Sequence, residues 1–215
     1  MFSLIVFDLD GTLVDSRRDI AESANLVLET CDVAPLPEDA IGGMVGDGAA
    51  TLVARVFAAR EHVPPPDALQ RFLDIYGTRL LKHTRPYPQV AEVLSALGER
   101  ASLAVLTNKP LEATRSILAG LELARYFAHD AVLGGDGPFP RKPDASGLQH
   151  LMSRAGASPS STLMVGDSVI DWRTACGGAT AACLARYGFG FAGIRLDELR
   201  PIDRVIDAPI ELLGL

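Results

Sequence analysis

Near the amino terminus the sequence reads Leu4-Ile5-Val6-Phe7-Asp8-Leu9-Asp10-Gly11-Thr12, an apolar run that ends in two carboxylates and a glycine. Such a run predicts a β-strand, and alternate residues of a strand point to the same face. Asp8 and Asp10 therefore share one side at the point where the strand ends. Two carboxylates that are buried together are unstable unless a cation or a shared proton lies between them. The spacing indicates a metal ion, a general acid, or both.

The composition restricts the class of protein. The chain has 215 residues, 48% of them hydrophobic, which is typical of a packed globular protein and sufficient for one α/β domain with an insertion. The net charge of -7 argues against a nucleic-acid-binding surface. No apolar run reaches the roughly 18 residues of a membrane span, and no signal peptide is recognised. The cysteines Cys31, Cys176 and Cys183 form no CxxC pair, which favours a reducing compartment. We therefore expect a cytoplasmic protein with neither nucleic acid nor membrane as partner.

Short runs of branched apolar residues recur along the chain and alternate with helical patterns. This alternation predicts βαβ units. We therefore predict an α/β fold with a Rossmann-like core, in which a parallel sheet lies between two layers of helices. One of these helices has its apolar stripe at Val90, Val93, Leu94 and Leu97. Strands are predicted at Leu4–Phe7, Leu103–Leu106, Ala131–Leu133, Thr162–Val165, Ala182–Ala185 and Arg204–Ile206.

The stretch from Asp15 to about Pro86 contains helical patterns and no convincing strand. Ser16 and Asp19 have the spacing of a capping box before its first helix. A connection of about seventy residues is too long for an ordinary loop. We therefore predict that residues 16–83 form an inserted α-helical cap over the carboxyl ends of the strands, and that residues 1–15 and 84–215 form the core. The apolar stripes of three cap helices are Ile20, Ala24, Val27, Leu28 and Cys31; Leu52, Val53, Val56 and Phe57; and Leu69, Phe72, Leu73, Tyr76 and Leu80.

Three further segments place polar residues at or near predicted strand ends. They are Leu106-Thr107-Asn108-Lys109, Arg141-Lys142-Pro143 and Val165-Gly166-Asp167-Ser168-Val169-Ile170-Asp171. Each segment alone is typical of a turn or a surface side chain. Because the carboxyl ends of parallel strands meet at one edge of a sheet, the motifs in this order indicate a single site.

These motifs together resemble the haloacid dehalogenase superfamily, specifically its phosphatase branch with a helical cap inserted after the first motif. The resemblance covers nearly the whole chain. Three weaker similarities to phosphoglycolate phosphatases are Val45-Gly46-Asp47-Gly48-Ala49, Arg85-Pro86-Tyr87-Pro88 and Tyr187-Gly188-Phe189-Gly190. The chain departs from the family at Lys142-Pro143-Asp144-Ala145, where members often continue Lys-Pro-x-Pro. We expect this departure to affect the next helix more than the chemistry.

The resemblance implies a magnesium-dependent phosphatase that works through an aspartyl-phosphate. Asp8 would be the nucleophile, and Asp10 would protonate the leaving alcohol and later activate water. Mg²⁺ would bind Asp8, the backbone carbonyl of Asp10, and Asp167. Asp171 would act indirectly or through water.

The resemblance also implies how substrate is bound. Thr107 and amides near Asn108 would hold the phosphoryl oxygens, and Lys142 would supply a fixed positive charge. Gly46 and Gly48 suit a cap loop whose backbone approaches the substrate or moves with the cap. A cap favours small phosphorylated metabolites, with 2-phosphoglycolate, hydrolysed to glycolate, as the best single expectation. We expect a monomer or homodimer.

Two alternatives share this fold. A sugar phosphomutase resembling β-phosphoglucomutase would use the same core residues but would need a second phosphate site built from cap cations. A non-catalytic binding module would bind ligand without turnover. The candidate cap cations are Arg17, Arg18, Arg55, Arg60, Arg71 and Arg79.

Overall fold

The computed structural model describes residues 2–215, which form a six-stranded parallel sheet, a separate two-stranded ribbon and eight α-helices. The strands are β1 (Leu4–Phe7), β2 (Val14–Asp15), β3 (Arg85–Pro86), β4 (Ser102–Leu106), β5 (Val132–Leu133), β6 (Thr162–Gly166), β7 (Ala181–Ala185) and β8 (Arg204–Ile206). The helices are α1 (Arg17–Glu29), α2 (Glu38–Gly42), α3 (Ala49–Ala58), α4 (Ala68–Gly77), α5 (Val90–Gly98), α6 (Leu111–Gly120), α7 (Ser146–Ala155) and α8 (Val169–Gly177). Across residues 2–215, no helix has both the length and the apolar composition that a bilayer crossing requires.

The large sheet has the strand order β5-β4-β1-β6-β7-β8, which places β1 in its interior. Alternate side chains of β1 point to opposite faces: Ile5 and Phe7 pack in an apolar cluster with α5 and α6, and Leu4 and Val6 pack in another with α7. The helices therefore cover both faces of the sheet. This arrangement confirms the predicted α/β fold with a Rossmann-like core, and each strand prediction is correct to within one residue at either end.

The residues between β2 and β3 form a helical cap. Apolar side chains of α1, α3 and α4 pack on one another in a third cluster, as the helical patterns predicted. The stripe assigned to the third helix is partly wrong, because Leu69 lies at the surface and Leu80 follows the end of α4. The short helix α2 was not predicted. The cap boundaries at residues 16 and 83 stay a prediction.

The two passages of the chain between core and cap run side by side. β2 and β3 pair antiparallel, with Val14 opposite Pro86 and Asp15 opposite Arg85. No strand is predicted in this stretch from the sequence, because two-residue strands leave no alternation of apolar and polar residues to detect.

The predicted capping box before α1 is wrong. Ser16 makes no capping bond, and its Oγ instead donates to Asp10 Oδ1 at 2.5 Å. Asp19 is fully buried and accepts hydrogen bonds from the backbone N–H groups of His83 and Thr84 and from the Thr84 hydroxyl. Both side chains therefore join the start of the cap to distant segments, which local spacing does not reveal.

Candidate active site

The carboxyl ends of β1, β4 and β6 lie level at one edge of the sheet. The last residue of β1 is opposite Val105 on one side and Val165 on the other. The residues beyond these strands, Asp8, Thr107 and Asp167, therefore emerge at the same edge. All three are buried, yet they line one cavity. The parallel register thus brings together motifs that lie far apart in the sequence.

Asp8, Asp167 and Asp171 place carboxylate oxygens within 4.8 Å of one another. Burial raises the pKa of Asp8 to about 6, although Lys142 opposes the shift. Burial and repulsion from Asp171 also raise the pKa of Asp167 above its usual range. Asp8 Oδ1 has no hydrogen-bond partner among the described residues. Buried carboxylates gathered this closely fit a divalent cation, and oxygen is the ligand that Mg²⁺ prefers.

Lys142 supplies a buried positive charge beside these carboxylates. Its Nζ donates a hydrogen bond to Asp171 Oδ1 at 2.6 Å and forms an ion pair with Asp8 Oδ1 at 2.9 Å, the latter outside hydrogen-bonding geometry. Burial alone would lower the pKa of Lys142, but Asp171 and Asp8 outweigh it and raise that pKa above its ordinary value. Lys142 is therefore a fixed ammonium group facing Asp8.

Both carboxylate oxygens of Asp171 are engaged. Oδ1 accepts from Lys142, and Oδ2 accepts from the backbone N–H and the hydroxyl of Ser168, at 3.0 and 2.6 Å, before α8 begins. Asp171 is therefore less available to a cation than Asp8 or Asp167, and it orients Lys142.

Asp167 is held by the segment that follows β7. The backbone N–H of Gly190 donates to Asp167 Oδ2 at 2.8 Å. A Cβ at Gly188 would lie 2.2 Å from the Asp167 Cβ and 2.3 Å from the backbone oxygen of Gly11. A side chain at Gly188 therefore cannot be accommodated without displacing Asp167. In the sequence this segment is marked only by its resemblance to phosphoglycolate phosphatases, which gives it no role.

The carboxylate of Asp10 is bound by two side chains to which the sequence motifs assigned no role. Lys109 Nζ donates to both of its oxygens, at 3.0 and 2.8 Å, and Ser16 Oγ donates to Oδ1. The Lys109 side chain is 5% exposed, and its Nζ lies 4.5 Å from the ring centroid of Tyr76 in α4. Burial would lower the pKa of Lys109, but Asp10 outweighs it and raises that pKa. The scarcity of lysine was the one sequence signal for a role of Lys109, since Lys109 and Lys142 are two of only three lysines in the chain.

Thr107 and Asn108 begin the loop after β4. The Asn108 side chain donates from Nδ2 to the carbonyls of Gly46 and Lys142, at 2.8 and 2.9 Å, and accepts from the Lys142 N–H at 2.8 Å. Thr107 Oγ1 accepts from the Lys109 N–H at 3.3 Å. The Asn108 side chain therefore joins the cap loop to the Lys142 loop. The backbone N–H of Asn108 has no acceptor among the described residues and is therefore free to bind an oxyanion.

A cavity of about 620 Å³ lies between these groups and the cap. Gly46 and Gly48 line it with positive φ angles of 124° and 89°, and the rest of the cap lining is mostly apolar. Within residues 2–215, no cap arginine lines this cavity, so these arginines do not supply the second phosphate site that a phosphomutase would need. The cap arginines bind nearby carboxylates or backbone carbonyls instead: Arg17, Arg18, Arg55, Arg60, Arg71 and Arg79.

Comparisons with known proteins agree with this geometry. The family model described as haloacid dehalogenase-like hydrolase matches residues 5–182. The phosphoglycolate phosphatase of Rhodospirillum rubrum is 40% identical over 194 residues, which cover 86% of this chain and 80% of that protein. The phosphoglycolate phosphatase of Agrobacterium fabrum is 37% identical over 209 residues, which cover 95% of this chain and 88% of that protein.

A solved structure extends the similarity to three dimensions. The crystal structure of a predicted phosphoglycolate phosphatase from Haemophilus somnus superposes with a TM-score of 0.89 at 31% identity, covering 99% of this chain and 97% of that one. The family match, the relatives and the buried carboxylate–lysine site together show that this chain belongs to the haloacid dehalogenase-like hydrolase family, as an enzyme of its phosphatase type.

Proposed function

We propose that the chain hydrolyses a small phosphate monoester with Mg²⁺ as cofactor, through an aspartyl-phosphate on Asp8, and that its substrate is 2-phosphoglycolate. The main support for this proposal is that four side chains meet at one sheet edge beneath the cap: Asp8, Asp10, Thr107 and Lys142. The choice of substrate is supported by the phosphoglycolate phosphatases to which the chain is similar.

Uncatalysed hydrolysis of phosphate monoesters is so slow that enzymes accelerate it by up to about 10²¹-fold. Most of this must come from positioning and from neutralising charge on the transferring group. Thr107 and the free N–H of Asn108 hold phosphoryl oxygens in the proposal, and Lys142 offsets the negative charge that gathers as Asp8 approaches. Mg²⁺, held by the carboxylates of Asp8 and Asp167 and the backbone carbonyl of Asp10, would supply the remaining charge neutralisation.

In the first step a carboxylate oxygen of Asp8 attacks phosphorus, the ester P–O bond breaks, and Asp10 gives its proton to the leaving alkoxide. In the second step a water attacks phosphorus, Asp10 takes the water's proton, and the bond from Asp8 to phosphorus breaks. Lys109 and Ser16 orient the Asp10 carboxylate that accepts this proton.

The cap sets the size of the substrate. Its apolar lining and the bond from Asn108 to Gly46 hold the cap over the sheet edge, which limits the access of bulk water to a reactive aspartyl-phosphate. We also propose, from the composition of the chain, that the protein is cytoplasmic and is a monomer or a homodimer.

A panel of phosphate esters tests the proposal. Hydrolysis of 2-phosphoglycolate, sugar phosphates, nucleoside monophosphates and pyrophosphate is measured as kcat/KM, with Mg²⁺ and with EDTA. We expect magnesium-dependent hydrolysis with the highest kcat/KM for 2-phosphoglycolate. Inactivity toward every ester with Mg²⁺ present would contradict the reaction, and preference for another ester would reject only the substrate. Isomerisation of a sugar phosphate that requires a sugar bisphosphate would favour the phosphomutase.

A further inference from the structure

Arg141 is a cation at the cavity whose charge has no partner. Its Nε donates to the carbonyl of Gly135 at 2.8 Å, which fixes the guanidinium. The Arg141 guanidinium makes no ion pair and no further hydrogen bond within residues 2–215, so Nη1 and Nη2 remain available. The side chain is exposed at the cavity opening.

The other basic residue that lines the cavity does not offer a free charge. Lys109 gives its ammonium group to both oxygens of Asp10. Among the described cavity-lining residues, Arg141 is therefore the cation able to meet a second negative charge on a substrate.

The cap loop passes directly against this guanidinium. A Cβ at Gly48 would lie 3.0 Å from Arg141 Nη1 and 3.2 Å from Cζ, and the φ of +89° at Gly48 is one that other residues rarely adopt. Glycine at this position lets the cap close onto Arg141. The cap loop therefore lies beside an exposed guanidinium, and an anion bound between the two would be partly shielded from water, which strengthens its pairing with Arg141.

We propose that Arg141 binds the carboxylate of the substrate and so selects phosphate monoesters with a carboxylate a few bonds from phosphorus. The inference rests on the proposed function. Arg141 and Lys142 are consecutive, and Lys142 reaches Asp8 at the phosphoryl end while Arg141 faces the cavity opening. A guanidinium binds a carboxylate through two parallel hydrogen bonds, a geometry that lysine does not reproduce.

Neighbouring acidic residues make the binding of a carboxylated substrate more dependent on Arg141. Glu112 and Asp136 also line the cavity, and neither pairs with Arg141. Their charges repel the carboxylate of a substrate, and Arg141 offsets this repulsion. A neutral substrate meets no such repulsion, so its binding depends less on Arg141.

Two esters that differ in one group test the inference. 2-Phosphoglycolate carries a carboxylate where 2-hydroxyethyl phosphate carries a neutral hydroxymethyl group. We expect Arg141→Met to lower the ratio of their kcat/KM values, carboxylated over neutral, by about 10- to 100-fold, the usual range for losing a hydrogen-bonded charge. Arg141→Lys should lower it less. Arg195→Met is the matched control, because Arg195 is exposed, pairs with Asp197 and does not line the cavity. It should leave the ratio unchanged.

Binding without turnover separates this inference from the proposed function. Calorimetric titration of 2-phosphoglycolate into the Asp8→Asn protein gives the affinity, and addition of Arg141→Met should weaken it about tenfold or more. Equal affinities, or an unchanged ratio of kcat/KM, would overturn the role of Arg141 and leave the phosphatase reaction standing. Absence of magnesium-dependent hydrolysis of both esters by the wild-type protein would overturn the proposed function, while the binding measurement still decides the role of Arg141.

Discussion

Exchange of Lys109 for methionine leaves Asp10 without its ammonium partner while keeping a side chain of similar length. Removing one member of a buried ion pair costs about 3–5 kcal/mol, because the other charge stays buried and unpaired. The Asp10 side chain is 10% exposed, lines the cavity and keeps its bond from Ser16. Because of these contacts we expect Lys109→Met to lower the free energy of unfolding by about 3 kcal/mol, the lower end of that range. For a chain of this length that is a fall in Tm of about 6–12 °C.

The assay is calorimetric unfolding in EDTA, with the Asp10→Asn variant and the double variant measured alongside. The double variant carries neither charge, so it should recover part of the stability that Lys109→Met loses. Lys82→Met is the control, because Lys82 pairs with Glu22 at the surface and its loss should cost at most about 1 kcal/mol. A loss below about 1 kcal/mol for Lys109→Met, or strictly additive effects in the double variant, would refute the reasoning.

Three further changes test other parts of the structure. Asp8→Asn should abolish hydrolysis of 2-phosphoglycolate in a phosphate-release assay, and retained turnover would show that another group attacks phosphorus. Gly188→Ala should weaken Mg²⁺ affinity about tenfold or more by displacing Asp167, and a wild-type affinity by calorimetry would contradict this. The hydrogen bond from Arg18 lowers the pKa of Glu22 from 4.5 to about 2, so its ionisation stabilises the fold above pH 4.5 and this contribution is lost as the pH falls towards 2. The urea midpoints of the wild-type and Glu22→Gln proteins should therefore converge over that range, and a constant difference would count against the pairing.

The sheet could be predicted because its information is local. Residues Leu4–Phe7 are apolar on both faces, and the helices that cover them repeat apolar residues at the helical period. The convergence of Asp8, Thr107 and Asp167 followed from a general property of parallel strands, which collect their carboxyl ends at one edge.

The features that the sequence did not reveal depend on contacts between distant residues. Lys109 and Asp10 are 99 positions apart, and their motifs predicted a shared sheet edge but not the ion pair between these two side chains. Ser16 and Asp19 have the local spacing of a helix cap, but tertiary partners take both side chains. The constraint on Gly188 comes from the space that Asp167 occupies, which exists only in the folded chain.

The antiparallel pairing of β2 with β3 has an evolutionary consequence. It brings the two ends of the inserted segment within one strand spacing of each other, about 5 Å. The entropic cost of closing a loop rises only slowly with the length of the loop. A segment of different size or sequence can therefore span the same gap without disturbing the sheet. Replacement of this one segment can therefore diversify which metabolites a lineage of such enzymes accepts, while the phosphoryl-transfer machinery is inherited intact.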